Sequence, residues 1–440
     1  MRRALEEAHG GIYRYTSKRE MDRTFDRAYR KIDHPMTGLE FWRLSAPVVA
    51  HIKCGHTLLW WPEEVQKRID DEIPLYPQDV EVLEKRVYVY RDWTSDDRKL
   101  DGREILSING VRMTTILDRM MTVVTGDGNT SAAKSYLIGH RRWFSAYLFA
   151  LLEIHSPFRV EYRDGAGKRE TVELMGMKCD KRDALRAKEP TPQTTADLKF
   201  LDDGKTAVLT IRSFRKFIDD QRTQPLHDFL QKSFEQVHDK SSRDLIIDLR
   251  GNTGGEDAPG KQLFSSLWDQ PFKYYRDLVL NAREFDFFKY APGSKPVPAD
   301  LVEQQADRKF HYVKHPNWGL QPPSKPHFAG KVFVLMNGGS FSTTCEFLSV
   351  LHFHKRGIFI GEEPAGGYYG NTSGFFARVV FPNSKLTMPV RLTTYYMAVG
   401  GYKYPDRGVM PDYPVTYTID DVLAGKDKDM ELALSLARGK

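Results

Sequence analysis

The chain has 440 residues, too many for one small core and suited to about two or three domains. Hydrophobic residues make up 40% and charged residues 28%, which excludes a disordered chain. Its 65 basic and 59 acidic side chains are interspersed and leave a net charge of +6, little basis for a nucleic-acid partner. Three cysteines, Cys54, Cys179 and Cys345, cannot all pair and lack metal-ligand spacing, so neither a disulfide framework nor a metal site is expected, and no cofactor is called for.

The start, MRRALEEAHGG, has no apolar signal-peptide core, which leaves either a cytoplasmic protein or a removed leader. The segment TSKRE predicts a capping box with Ser17 as N-cap and Glu20 reaching back, followed by Met21, Phe25 and Tyr29 at one-turn spacing. A second box, TGLE, starts a helix with Phe41, Leu44, Val48 and Ile52 on its apolar face and Gly55 as its stop. His56 then sits on a turn just past that helix; a lone histidine is more often structural or exposed than functional. These elements make residues 1–81 a helical region.

From residue 82 the pattern changes to short strands around a helix, and a β-rich domain is predicted over 82–180. RVYVYRDW alternates, GREILSINGV carries an Asn-Gly turn, and FRVEYRDGAGKRETVEL reads as a hairpin. The run WFSAYLFALLEI, from Trp143, is too short to span a bilayer and reads as a core helix. AKEPTPQTTADLK (187–199) is Pro/Thr-rich and reads as a linker. Over 190–440, strands such as TAVLTI, DLIID, KVFVLM and IFIG alternate with helical segments, an α/β pattern with a mostly parallel, covered sheet.

Two glycine-rich turns follow strands of this sheet. After KVFVLM the chain reads NGGSFSTTCEF, which places Ser340 inside the turn and Ser342 at a helix start. There the unpaired N–H groups and the helix dipole favour a developing oxyanion, but a serine at that position is also a good N-cap. After DLIID the chain reads LRGNTGGED, which lacks the Lys-Ser/Thr ending of a P-loop and the spacing of a dinucleotide fingerprint. The N–H groups of Thr343 and of Gly254 or Gly255 fit the two halves of an oxyanion hole. His352 and His354, two apart on a helix, do not make a metal pair, and Cys345 reads as a core cysteine.

TAVLTIRSF, LIIDLRGNTGG, VLMNGGSFSTTCEF, IFIGEEPAGGYYGNTSG and DRGVMPDYPV, in this order, resemble the tail-specific (C-terminal processing) and tricorn-core serine peptidases. GREILSINGV likewise resembles the signature segment of PDZ-like domains, which bind peptide ends by strand addition. With the helical region as a cap, the resemblance covers nearly the whole chain. It implies a crotonase-like (ClpP/crotonase superfamily) peptidase domain over 190–440, an N-terminal helical cap over 1–81 and a PDZ-like domain with an insertion over 82–180. It also implies peptide cleavage, and export to a periplasmic or extracellular site, as in many relatives.

The tail-specific branch takes a lysine base from the segment that here reads GEEPAGGYYGNTSG, without lysine. The tricorn-like branch takes a histidine from the cap, in a turn like CGHT, which makes His56 the expected base; the serine that can precede that histidine is Gly55 here. The branch's C-terminal carboxylate is matched most nearly by Asp406, offset by about one position, with Glu362 and Glu363 as rivals. The expected set is therefore Ser342 as nucleophile with Ser340 as rival, His56 as base and Asp406 as its carboxylate, acting on a peptide or protein. A non-catalytic binding protein on the same fold is the alternative, and an esterase or amidase a third reading.

Overall fold

The apolar strands after residue 195 build a six-stranded sheet in the order Tyr413–Pro414, Ile358–Gly361, Lys331–Met336, Asp244–Asp248, Thr206–Ile211, Ala196–Leu201. All neighbours are parallel except the last pair. Alternate residues of one strand face opposite sides, and Lys331–Met336 shows the result. Val332, Val334 and Met336 join a core with the helices Leu226–Asp239, Asp257–Ser265 and Thr343–Phe353. Phe333 and Leu335 point the other way, against Ala433 and Ala437 of the helix Lys428–Ala437. Burial on both faces explains why these strands read as continuous apolar runs.

The computed structural model describes residues 1–95, 97–139, 143–189 and 194–439, and among them no helix is long and apolar enough to cross a membrane. A second, five-stranded antiparallel sheet runs Glu303–Gln304, Phe310–His311, Tyr275–Leu280, Thr387–Met397, Thr372–Val380. Sequence reading did not anticipate this sheet. Its longest strands carry the helical region: Val390 and Leu392 share one apolar cluster with Leu5 of the helix Arg2–Ala8 and Val49 of the helix Gly38–Ala50. Trp60 also bridges to Thr387.

Residues 78–174 form another six-stranded sheet, with Gln78–Leu83, Arg86–Asp92, Glu104–Ile108, Phe158–Arg163 and Arg169–Leu174 in order and Val111–Arg112 paired onto Glu104–Ile108. Asn109 and Gly110 turn its third strand with positive φ values of 48° and 79°, as the Asn-Gly signal predicts. Three helices, Met113–Met121, Ser131–Gly139 and Trp143–Ala150, are inserted before the closing hairpin.

Three local expectations need correction. The helix begun by the Thr37–Glu40 capping box ends at Ala50, not at Gly55; the chain leaves it through Lys53, at φ 59°, and Gly55 lies four residues beyond the C-cap His51. Ser17 caps its helix as predicted, but Glu20 Oε1 meets His51 Nε2 at 3.0 Å instead of closing the box. The expected linker ends earlier, because Ala196–Leu201 is a strand of the main sheet; residues 190–193 lie outside the described set.

Candidate active site

Two turns leave the same ends of adjacent parallel strands, where open α/β sheets place their ligands. Asn252, fully buried in the turn after Asp244–Asp248, joins them. Its side chain donates to Ile211 O at 2.8 Å and accepts from Gly254 N at 2.9 Å. Its carbonyl accepts from Phe341 N and from Thr344 Oγ1, both at 2.9 Å. Sequence reading missed this residue; the only signal is a polar side chain inside a glycine-rich turn, which must be satisfied if buried.

Ser340 and Ser342 have different environments. Ser340 is fully buried; its hydroxyl donates to Leu249 O at 2.8 Å and accepts from Asn337 N at 3.2 Å, closing its own turn. Ser342 occupies the N-cap position of the helix Thr343–Phe353 but does not cap it. Its backbone sits at φ 59°, ψ −126°, an uncommon conformation for a residue with a side chain, worth about 1–3 kcal/mol of strain. That backbone turns the hydroxyl away from the helix, and Oγ lies 3.0 Å from His56 Nε2. Thr343 N–H opens the helix, where backbone donors lack intrahelical partners.

The glycine loop packs on this serine. A Cβ at Gly254, where φ is 93°, would stand 2.6 Å from Ser342 Cβ and 2.8 Å from Phe341 O. Gly254 N–H is directed to Asn252, while Gly255 O accepts from Thr343 Oγ1 at 3.2 Å.

His56 is clamped from several sides. Arg391 Nε donates to its carbonyl at 2.9 Å, Gly55 N donates to Asp127 Oδ1 at 2.7 Å, and Thr57 Oγ1 meets buried His9 Nε2 at 2.8 Å. The imidazole stacks on Phe341 at 4.4 Å, and Gly55 permits that approach, since a Cβ there would lie 2.7 Å from the Phe341 ring. Burial lowers the imidazole pKa from 6.5 to about 3, helped by the charges of Arg391 and His9, so the ring is neutral at physiological pH. His56 Nδ1 is buried and without a hydrogen-bond partner.

None of the carboxylates expected from sequence is hydrogen-bonded to His56, whose Nδ1 has no partner. Asp406 accepts a short hydrogen bond from Asn129 Nδ2, and its carbonyl accepts from Asn129 N at 2.9 Å. Glu363 is engaged by Arg407 Nε at 2.8 Å and Gly408 N at 3.0 Å, and Glu362 is exposed. The carboxylate beside the histidine turn is Asp127, which sequence reading did not single out. One of its oxygens, a ring nitrogen of His56 and Cys54 Sγ lie within 4.8 Å of one another. Burial raises Asp127 to about 6, still ionised for the most part at neutral pH.

Cys54, His56 and Asp127 cluster closely enough to be weighed as a metal site. Burial raises the Cys54 thiol to about 11, and its Sγ accepts from Thr57 Oγ1 at 3.5 Å, while His56 Nε2 and Asp127 Oδ1 are engaged as described. Cys345 is likewise a buried thiol, held high by burial, donating to Ser340 O at 3.1 Å.

A serine hydroxyl paired with a neutral imidazole, at a helix start and against a glycine loop, is the arrangement of a serine-type hydrolase. Residues 205–415 match Peptidase family S41. That match, together with the site, makes the chain a serine-type peptidase acting on peptide or protein substrates. Two solved structures share the fold over almost the full length. Two structures of mature CPAF align over 99% of this chain, one at 16% identity, TM-score 0.63 and 94% of its own length, the other at 15%, 0.66 and 97%. A photosystem II D1 C-terminal processing protease aligns more loosely, at 15% identity and TM-score 0.44, over 94% of this chain and 91% of its own. No curated protein matches by sequence.

Proposed function

We propose that Ser342 is the nucleophile of this peptidase and His56 its general base. The observation that carries this is the 3.0 Å contact between Ser342 Oγ and His56 Nε2, made by a serine whose backbone forgoes capping its helix. The hydroxyl attacks the scissile carbonyl as its proton passes to Nε2, and the resulting imidazolium returns that proton to the leaving amine. Thr343 N–H at the helix start supplies one oxyanion donor. Gly255 supplies the second in preference to Gly254, whose N–H already serves Asn252.

Asp127 takes the place expected of Asp406. It fixes the histidine turn through Gly55 N–H and puts negative charge near the imidazolium that forms, whereas Asp406 serves Asn129. The crotonase-like core over 190–440, the helical cap over 1–81 and the PDZ-like domain over 82–180 complete the reading: the cap delivers the base and the strand-rich domain receives the polypeptide end. Processing of polypeptides or their C-termini is the proposed task.

The test is labelling by a fluorophosphonate together with hydrolysis of unstructured peptides. Wild type should do both, and Ser342→Ala and His56→Ala neither, with unchanged far-ultraviolet circular dichroism. Peptide binding by wild type without labelling or turnover would favour the binding-protein alternative.

A further inference from the structure

An apolar cavity of about 190 Å³ opens beside the candidate catalytic pair. Gly55 and Phe341, the chain neighbours of His56 and Ser342, line it, as does Thr253, next to Gly254. Its far wall is aromatic: Trp42 and Trp61 meet edge to face at 5.2 Å, and Trp143 stacks on Tyr147 at 5.6 Å. None of the described lining residues is Asp, Glu, Lys or Arg. Two of the lining indole N–H groups are spent within the protein, Trp42 Nε1 on Leu59 O at 2.7 Å and Trp61 Nε1 on Gln66 Oε1 at 2.8 Å. A cavity of about 150 Å³ with apolar walls holds a benzene molecule, so this one has room for a phenyl or indole ring.

We propose that this cavity is the specificity pocket of the peptidase and takes an aromatic side chain of the substrate residue adjoining the scissile bond. The inference rests on the Ser342–His56 reading for its place in catalysis. The lining decides the class of side chain. A ring gains offset or edge-to-face contacts with the tryptophans, whereas a charged side chain would be desolvated with no countercharge among the described lining residues. The pocket joins three parts of the chain: the cap gives Trp42 and Trp61, the inserted helices give Leu137 and Tyr147, and the nucleophile turn gives Gly338, Gly339 and Phe341. Gly339 is required for this closure, since a Cβ there would stand 2.4 Å from the ring of Tyr136. The helices that depart from a minimal PDZ-like domain thereby acquire a role at the site.

The experiment maps cleavage sites by mass spectrometry in a mixed peptide library, followed by kcat/KM for matched peptides bearing Phe, Tyr, Trp or Ala on either side of the scissile bond. Burying a ring in such a pocket predicts a preference for aromatic over alanine peptides of roughly tenfold to hundredfold. Leu137→Trp, which fills the cavity, should bring that ratio close to one. Leu137→Ala, which enlarges it, should keep an aromatic preference and favour Trp over Phe. Ser342-dependent cleavage by wild type without aromatic enrichment would overturn the pocket and leave the catalytic reading standing. A wild-type chain that neither labels with fluorophosphonate nor cleaves any peptide would overturn the catalytic reading and the pocket's role with it. Should Leu137→Trp not fold, the wild-type cleavage map alone decides.

Discussion

His56 Nε2 lies 3.0 Å from Ser342 Oγ although 286 residues separate them in the chain. The contact depends on two surfaces that carry no catalytic group. The N-terminal helices pack on the antiparallel sheet, and Arg391 of that sheet holds the His56 carbonyl. The helix Thr343–Phe353 packs on the parallel sheet and fixes Ser342.

Ser342→Ala and Ser340→Ala should separate function from structure. Removing a triad-like nucleophile costs on the order of 10⁶ in kcat, and Ser342→Ala should do this while leaving the strain at φ 59° in place, since alanine keeps the Cβ. Ser340→Ala removes the acceptor of Asn337 N and one of the two donors to Leu249 O, which keeps Asn252 N, and should lower stability by about 1–3 kcal/mol, with Ser342 still labelled by fluorophosphonate. Denaturant titration and labelling of both variants check the pair.

The acid limb of kcat/KM for the free enzyme should lie well below the pH 6.5 of an ordinary histidine. A base in the cap turn leads one to expect a rise near neutrality, but burial first, then Arg391 and His9, lower His56 to about 3. The neutral ring is the active form and stays available as pH falls until it protonates, so any loss of activity near pH 6 belongs to protonation of Asp127 and not to the base. Arg391→Gln removes one of these charges and should shift the limb toward neutrality. Stability follows the same sign. Between pH 6.5 and about 3 the unfolded chain binds the proton that folded His56 refuses, so folding weakens as pH falls through this window.

Gly254→Ala should disable the enzyme more than it unfolds it. The new methyl would meet Ser342 Cβ at 2.6 Å, on a backbone at φ 93° that side chains rarely adopt. Displacing the serine and the amides beside it should lower kcat by roughly 10²–10³, the scale of losing an oxyanion donor. Single-turnover kinetics against thermal melts would distinguish this from general destabilisation.

Asp127 and Asp406 can be ranked directly. Asp127→Ala removes the acceptor of Gly55 N–H and should lower kcat by about 10²-fold or more with little change in KM, while Asp406→Ala should stay within about threefold of wild type. Asp127→Asn keeps an acceptor oxygen for Gly55 and should recover part of the loss. A merely structural Asp127 would instead show Ala and Asn variants differing in stability with an unchanged pH profile.

Glu346, behind the nucleophile helix, should make the fold sensitive to alkali. It is buried, bonded by Tyr275 Oη at 2.7 Å and Asn371 Nδ2 at 2.8 Å, and burial, with the charge of Asp257, pushes its pKa well above the ordinary 4.5. The folded state then keeps a proton that the unfolded chain releases, so stability falls as pH rises above that ordinary value. Glu346→Gln should gain on wild type by a few degrees in Tm as pH is raised from 5 to 9, as measured by melts across that range.

Much of this was legible in the sequence because it is local. Continuous apolar strands announce a covered parallel sheet, Thr37 and Glu40 form the box their spacing predicts, and a strand leading to NGGSFST sets Ser342 at a helix start. Sequence could not say whether that serine capped its helix or faced a base, since both need the same residue at the same place. The backbone at φ 59° decides it, in a turn that Asn252 bonds at the flanking residues Phe341 and Thr344 and that Gly254 approaches closely. His56 was reachable through family resemblance, but the carboxylate bonded to its turn was not. Asp406 stands near the expected motif in sequence yet faces Asn129, while Asp127 belongs to no motif and arrives through the inserted segment. Periodicity and capping are written in neighbouring residues. Which buried carboxylate meets which turn is set by long-range burial, where each polar group must find its partner once water is removed.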